Sequence, residues 1–163
     1  YFLNDYYKKR SAKIFGMEKN VVIENPLLRS GLLFTGSNQT LKGLTPGHHQ
    51  DDGILTAYEA MNMDLHSTDL VVLSACETAL GEEMNGEGVL GLQRSFQIAG
   101  AKNIIMSLWA VSDEGTQKLM SLFYKKLVEI NDIPEAFRQA QLELKKQYPS
   151  PFFWGAFILL QSK

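Results

Sequence analysis

Short apolar runs along the chain predict strands. Residues 69–75 (DLVVLSA) and 103–109 (NIIMSLW) are rich in valine, isoleucine and leucine without a polar break. Such runs are typical of strands that are covered on both faces. Residues 31–36 (GLLFTG) lie between glycines and predict a brief strand, and residues 153–160 predict a final one.

Other stretches repeat apolar residues at helical spacing and predict helices. The first two are residues 55–63, which Thr56 caps, and residues 89–99, which Gly100 closes. The third helix is capped by Ser112 or Asp113 and carries Leu119, Leu122, Phe123 and Leu127 on one face. The fourth runs from Ile133 or Pro134 to Lys146. The polar stretch 37–53 predicts an exposed loop, residues 81–88 a flexible acidic loop, and residues 1–30 loop with short ordered pieces.

The predicted order is strand, helix, strand, helix, helix, strand. Buried strands joined by helical crossovers predict an α/β fold, with a mainly parallel sheet and helices on both faces. Three good strands and one weak strand are few for a closed core. We therefore expect N-terminal strands to be missing and the 163 residues to be the C-terminal part of a larger protein.

Composition excludes several classes of protein. The net charge is −2 and there is no basic tract, so we expect no nucleic-acid partner. No apolar run approaches the ~18–20 residues that span a bilayer, so we expect no membrane association. One cysteine permits no intrachain disulfide, which fits a reducing, cytoplasmic compartment. Neither metal-ligand spacing nor a phosphate-binding motif is present, so no metal and no cofactor are expected.

The candidate chemistry lies where the predicted strands end. In an open parallel sheet the active site lies at the carboxyl ends of the strands. Residues 69–75 run directly into Cys76, and residues 103–109 lead to Asp113. A cysteine nucleophile acts as a thiolate and needs a base and an oxyanion hole. Position alone favours an inert buried thiol at Cys76, because free cysteine is commonly buried.

No histidine in the chain is a credible base for Cys76. His48 and His49 lie in the polar loop, where solvated side chains are expected. His66 lies at the opposite end of the strand that precedes Cys76. At ~3.3 Å per residue the two are more than about 20 Å apart, too far for proton transfer.

Six segments of the chain carry a family resemblance: residues 73–81 (LSACETALG), 86–92 (GEGVLGL), 107–113 (SLWAVSD), 25–32 (NPLLRSGL), 52–57 (DGILTA) and 148–157 (YPSPFFWGAF). Together these segments resemble the CHAT domain family, which is similar to caspases and separase. The segments cover nearly the whole chain, in the family's order and at its distances. Ala79 departs from the family, which often has glycine there; we expect little consequence.

The resemblance implies a caspase-like three-layer fold and a Cys/His dyad with Cys76 as nucleophile. In the family the histidine belongs to a His-Gly pair followed by an aromatic stretch that Tyr1-Phe2 resembles, so it is expected one or two positions before Tyr1. Asp113 is the expected partner of a basic substrate residue, or else only a helix cap. Ser107 and Trp109 are expected to line the substrate site, with core packing as the alternative for Trp109.

The resemblance further implies a bacterial, regulated cysteine endopeptidase that cleaves protein substrates, with a preference for a basic residue before the scissile bond. Helical repeats of the tetratricopeptide type are expected on its N-terminal side, together with a regulatory protein. The alternative is a non-catalytic scaffold or interaction module that keeps the caspase-like fold.

Overall fold

The structure is a computed structural model that describes residues 26–28, 30–42, 52–74, 87–109 and 112–162. These residues belong to two compact units. The first unit takes the residues up to Leu65 and those of 87–99, and the second takes 66–74 and those from Gly100 onward.

The first unit is built from short elements. In chain order they are a 3-10 helix at Pro26–Leu28, β1 at Gly31–Leu33, α1 at Ser37–Leu41, β2 at Ile54–Thr56, α2 at Ala57–Met61 and α3 at Glu87–Ile98. β1 and β2 pair antiparallel, with Gly31 opposite Thr56 and Leu33 opposite Ile54. A Cβ on Gly31 would lie only 2.3 Å from the Leu55 carbonyl oxygen, so this approach of the two strands requires glycine.

Thr56 begins α2 as predicted. Its hydroxyl accepts a hydrogen bond from the Glu59 backbone, while the Glu59 carboxylate accepts the backbone N–H of Thr56. This reciprocal capping box stabilises the helix start. The helix begins two residues later than the predicted residue 55, because residues 54–56 are taken up by β2.

The prediction of an exposed loop over residues 37–53 is wrong where the structure describes it. Ser37–Leu41 is helical, and the Ser37 and Thr40 side chains are buried. The Thr40 hydroxyl donates to the Asp52 carbonyl at 2.7 Å, and the Asp52 carboxylate accepts the Ile54 N–H at 2.9 Å. Polar side chains are buried here because they bond to backbone groups, which composition alone does not reveal.

The second unit holds a three-stranded sheet and a helical layer. Its elements are β3 at Val71–Leu73, β4 at Asn103–Ser107, α4 at Asp113–Ile130, α5 at Ile133–Gln147, α6 at Pro151–Trp154 and β5 at Phe157–Gln161. The strand order is β3-β4-β5. Both strong predicted strands are present, although β3 covers only three of the seven predicted residues.

The direction of the last strand corrects the predicted, mainly parallel sheet. β3 and β4 are parallel, with Leu73 opposite Met106. β4 and β5 are antiparallel, with Ser107 opposite Phe157. Two long helices, α4 and α5, separate β4 from β5. One helix would return the chain to the start of β4, whereas two bring it back to the end where β4 left off.

The final strand also begins later than predicted. Phe153 and Trp154, predicted as the first residues of the strand, belong instead to the short helix α6. Ser150 caps this helix and Pro151 occupies its first turn, where proline is favoured. The aromatic run is apolar in either conformation, so periodicity could not separate the helical turn from the strand.

The core of the second unit lies between the sheet and the pair α4 and α5, which pack against each other. Its buried residues are Ile105, Leu119, Phe123, Ala136, Phe137, Ala140, Leu144, Ala156 and Phe157. Ile104 and Met106, whose side chains point to the other face of β4, are buried as well. These observations establish a mixed α/β protein, and the three-layer arrangement stays a prediction.

Candidate functional site

The carboxyl ends of β3 and β4 lie side by side. Because the two strands are parallel and Leu73 is opposite Met106, the chain leaves both strands at the same edge of the sheet. Ser74 follows β3, while Leu108 and Trp109 follow β4. The predicted nucleophile Cys76 lies outside the described residues. Its role therefore stays a prediction that depends on the edge at which these strands end.

Ser107, the last residue of β4, is only 2% exposed. It is opposite Phe157 of β5, and the next backbone N–H, that of Leu108, donates to the Ala156 carbonyl at 2.7 Å. The β5 side of this segment is therefore occupied by the protein's own strand. A substrate that adds as a strand to residues 107–109 would have to use the opposite side, toward β3.

Trp109 is half-buried against the core of the second unit. Its indole N–H donates to the carbonyl of Phe152 in α6 at 3.1 Å. Trp109 thus has the packing role that was the alternative for it. Its hydrogen bond also links the segment after β4 to α6. Direct contact with a substrate stays a prediction.

Asp113 is the first residue of α4, and it is exposed. The cap is Ser112, whose hydroxyl accepts the Gly115 N–H at 3.2 Å. The structure therefore settles the choice between Ser112 and Asp113 as cap, and the Asp113 carboxylate is not required for it. Within the part of the chain that the structure describes, no cation pairs with Asp113. A negative charge at this helix end is favoured by the helix dipole.

Next to Asp113 lies a polar cluster that the sequence analysis missed. The Lys118 ammonium donates to the Glu114 carboxylate at 2.7 Å and to the Tyr148 hydroxyl, and that hydroxyl lies 3.2 Å from the same carboxylate oxygen. The hydrogen bond from Lys118, followed by its charge, lowers the pKa of Glu114, and the hydrogen bond to Glu114 raises the pKa of Lys118. The i,i+4 spacing of Glu114 and Lys118 could have predicted their pair. Tyr148, 30 residues further on, could not be linked to it from sequence.

His66 lies at the amino end of β3, away from the edge described above. Its ring packs on the backbone turn at Gly100: a Cβ there would lie 2.6 Å from the His66 Nδ1. Because Cys76 is not among the described residues, the exclusion of His66 as its base stays a prediction. His48 and His49 lie outside the described residues.

The described residues contain neither a group of metal ligands nor a membrane-spanning helix. Among them, no three histidine, cysteine or carboxylate side chains gather as a metal centre would require. No helix in this part of the chain is long and apolar enough to cross a membrane.

Comparison with known proteins agrees with the motifs quoted above. The family model for the CHAT domain matches residues 11–162. The chain belongs to the CHAT domain family. This is a caspase-like peptidase family, and the match includes both β3, which precedes Cys76, and the segment from β4 to Asp113.

Two curated relatives of this CHAT domain are named for tetratricopeptide repeats. Tetratricopeptide repeat protein 28 of Homo sapiens is 28% identical over 111 residues, and that of Mus musculus is 29% identical over 111 residues. Each match covers 67% of this chain but spans only 4% of the relative's length. The association of a CHAT domain with helical repeats is consistent with these names. Both relatives are mammalian, and a bacterial origin stays a prediction.

Proposed function

We propose that the full-length protein is a cysteine endopeptidase with Cys76 as its nucleophile. The observation that carries this proposal is the parallel pairing of β3 and β4. It places the end of β3, three residues before Cys76, beside the end of β4, six residues before Asp113. In a family of caspase-like peptidases, the edge of the sheet where both strands end is where a nucleophile and a substrate site are expected to meet.

The reaction requires a base for the thiol. A histidine upstream of Tyr1 takes the proton of Cys76, and the thiolate attacks the carbonyl carbon of the scissile peptide bond. Backbone N–H groups near Cys76 stabilise the oxyanion. The imidazolium then protonates the leaving amine, and water hydrolyses the thioester and restores the thiol.

Asp113 supplies the preference for a basic residue before the scissile bond. Its carboxylate is exposed, and Ser112 rather than Asp113 caps α4. A charge-assisted hydrogen bond from arginine or lysine suits such a carboxylate. Helical repeats on the N-terminal side bind the protein substrate or a regulatory protein, and the compartment is the reducing cytoplasm.

The test compares the full-length protein with Cys76→Ala. Both are incubated with a diverse peptide pool, and new peptide termini are identified by mass spectrometry. We expect Cys76→Ala to lower cleavage by at least about 1,000-fold, because removal of a nucleophile removes the covalent route. Circular dichroism should show an unchanged fold.

A matched control is Val128→Ala, since the Val128 side chain is 87% exposed on α4. It should cleave like the unmodified protein. Equal cleavage by Cys76→Ala would refute the peptidase. The absence of cleavage by the unmodified protein would favour a non-catalytic scaffold.

A further inference from the structure

The Glu114–Lys118–Tyr148 cluster, defined by those three residues, joins two helices. Glu114 and Lys118 lie in the first two turns of α4, and Tyr148 follows directly after α5. The Lys118 ammonium also lies 4.8 Å from the centre of the Tyr148 ring. One residue outside α4, Tyr148, thus bonds to two side chains in the turns that begin at Asp113.

Tyr148 is itself held in place from the other side. Its ring packs against Phe153 of α6, with 4.9 Å between ring centres. α6 is fixed to the end of β4 by the hydrogen bond from the Trp109 indole to the Phe152 carbonyl. Gln141 of α5 donates to the carbonyls of Trp154 and Phe157, both at 2.9 Å. Tertiary contacts therefore exist on both sides of the segment that joins β4 to α4. Trp109 bonds to α6 on the β4 side, and the first turn of α4 bonds to Tyr148 on the other.

The cluster also makes two adjacent acids unequal, because it pairs the carboxylate of one with a cation and not that of the other. Glu114 and Asp113 are neighbours at the start of α4, and both are exposed. The carboxylate of Glu114 is paired with Lys118, whereas Asp113 has no cation beside it in the described part of the chain. A basic ligand that approaches this helix end therefore meets one uncompensated carboxylate, in a fixed turn.

We propose that Tyr148 and Lys118 are positioning residues that hold the first turn of α4 so that Asp113 binds a basic substrate side chain. This inference rests on the proposed function, and it adds residues that contact neither the substrate nor Cys76. Glu114 is exposed, Lys118 and Tyr148 are half-buried, and an ion pair this open to solvent contributes little to folding stability. The loss of the cluster should therefore change binding selectivity while the fold remains.

The experiment measures binding, so that it does not depend on turnover. The full-length protein is mixed with two pools of N-acetylated tetrapeptides with randomised positions. One pool ends in agmatine, which keeps the guanidinium of arginine, and the other ends in butylamine, which is neutral. Retained peptides are quantified by affinity selection and mass spectrometry. The selectivity is the ratio of retained agmatine peptides to retained butylamine peptides.

Tyr148→Phe removes the hydroxyl and keeps the ring on Phe153. The lost hydroxyl accepts from Lys118 and donates to Glu114, and its removal should lower the selectivity about three- to tenfold, the size of a typical net hydrogen-bond contribution. The double variant Glu114→Gln/Lys118→Met, which removes the ion pair without leaving a second free carboxylate, should lower it as well, and Asp113→Asn should abolish it.

The matched control is Tyr124→Phe, which removes the hydroxyl of a half-exposed tyrosine on the same helix. It should leave the selectivity unchanged, and thermal unfolding should be similar for all variants.

Two results would overturn the inference. One is an unmodified protein that retains both pools equally, and the other is a Tyr148→Phe variant with full selectivity. Either result can occur while Cys76-dependent cleavage persists, in which case the peptidase stands without this positioning role. Conversely, selective binding that depends on Tyr148 in a protein that cleaves nothing would leave the inference standing and refute the peptidase.

Discussion

The two units differ in what stabilises them. The second unit has helices of 18 and 15 residues, whose apolar faces meet the sheet in a core that includes Phe123, Phe137 and Phe157.

In the first unit α1 and α2 have five residues each, and both strands have three. Small side chains such as Ala57 and Ala60 are fully buried where α2 packs on α3. Of the helices that the structure describes in the first unit, only α3 is long, with 12 residues, and its Leu92 and Phe96 supply large buried side chains, while the shorter elements depend on capping hydrogen bonds.

The difference between the two units follows from the length of their helices. A long amphipathic helix can bury several large side chains at once, and the free energy of burial outweighs the cost of ordering the chain. A five-residue helix cannot, so its ends must be satisfied by specific partners. The capping box of Thr56 and Glu59 and the bond from Thr40 to Asp52 have this role. A core substitution should therefore have its largest effect in the second unit, and the loss of a cap in the first.

The largest effect is expected for Phe123→Ala in the second unit. The Phe123 side chain is fully buried and contacts the Phe137 ring edge-on, with 5.8 Å between the ring centres. Its truncation should cost about 3–5 kcal/mol of the free energy of unfolding, measured by urea denaturation. Val128→Ala, on the exposed face of the same helix, should change that free energy by less than about 0.5 kcal/mol. Similar losses for the two variants would contradict the importance of this core.

A smaller effect is expected for Gly100→Ala, which can be compared with Gly36→Ala in the first unit. Both glycines have a positive φ, 104° and 99°, which costs about 1–2 kcal/mol for alanine. At Gly100 the added Cβ would also lie 2.6 Å from the His66 ring, whereas at Gly36 nothing lies within 4 Å. Gly100→Ala should therefore cost about 2–4 kcal/mol in all. Equal losses would mean that His66 can move aside.

The helix caps Thr56 and Ser112 allow the two units to be compared through smaller changes in the free energy of unfolding. Thr56→Ala removes both the side-chain cap of α2 and the bond from its hydroxyl to Glu59, and should cost about 1 kcal/mol. Hydrogen exchange should accelerate throughout Ala57–Met61. Ser112→Ala removes a similar cap from α4, but faster exchange should be confined to the first turn, because Leu119 and Phe123 anchor that helix. Exchange that spreads along α4 would be the contrary result.

The smallest effect is a pH dependence at the start of α5. Hydrogen bonds from Arg138, and then from Gln139, lower the pKa of Glu135 to about 2 from its usual 4.5. Because the folded pKa is the lower one, the stabilisation is complete above about pH 4.5 and is lost as the pH falls toward 2. Melting temperatures of the unmodified protein and Arg138→Gln should differ by a few degrees at most near neutral pH and converge below about pH 2. A constant difference would show that the Glu135 carboxylate is not involved.

The candidate site was predicted from sequence only where its residues belong to local patterns. Ser107 ends β4 and Asp113 begins α4 as predicted, whereas Trp109, predicted within the same strand, lies beyond its end. The choice of Ser112 as cap needed the hydrogen bond to Gly115, since either side chain suits that position. The contact of Tyr148 with α4 depends on how the two helices fold back on each other, and no local pattern encodes it.

The long helices and the two strong strands of this CHAT domain could be predicted from its sequence, because apolar spacing, caps and prolines act within a few residues. Only the tertiary structure decided that β5 runs antiparallel to β4, that Ser37–Leu41 is helical, and that Tyr148 bonds to Lys118 and Glu114 of α4. Each of these features depends on groups that meet across 10 to 60 residues of chain. Which distant groups meet is set by the packing of whole elements, and the order of residues along a short segment does not specify it.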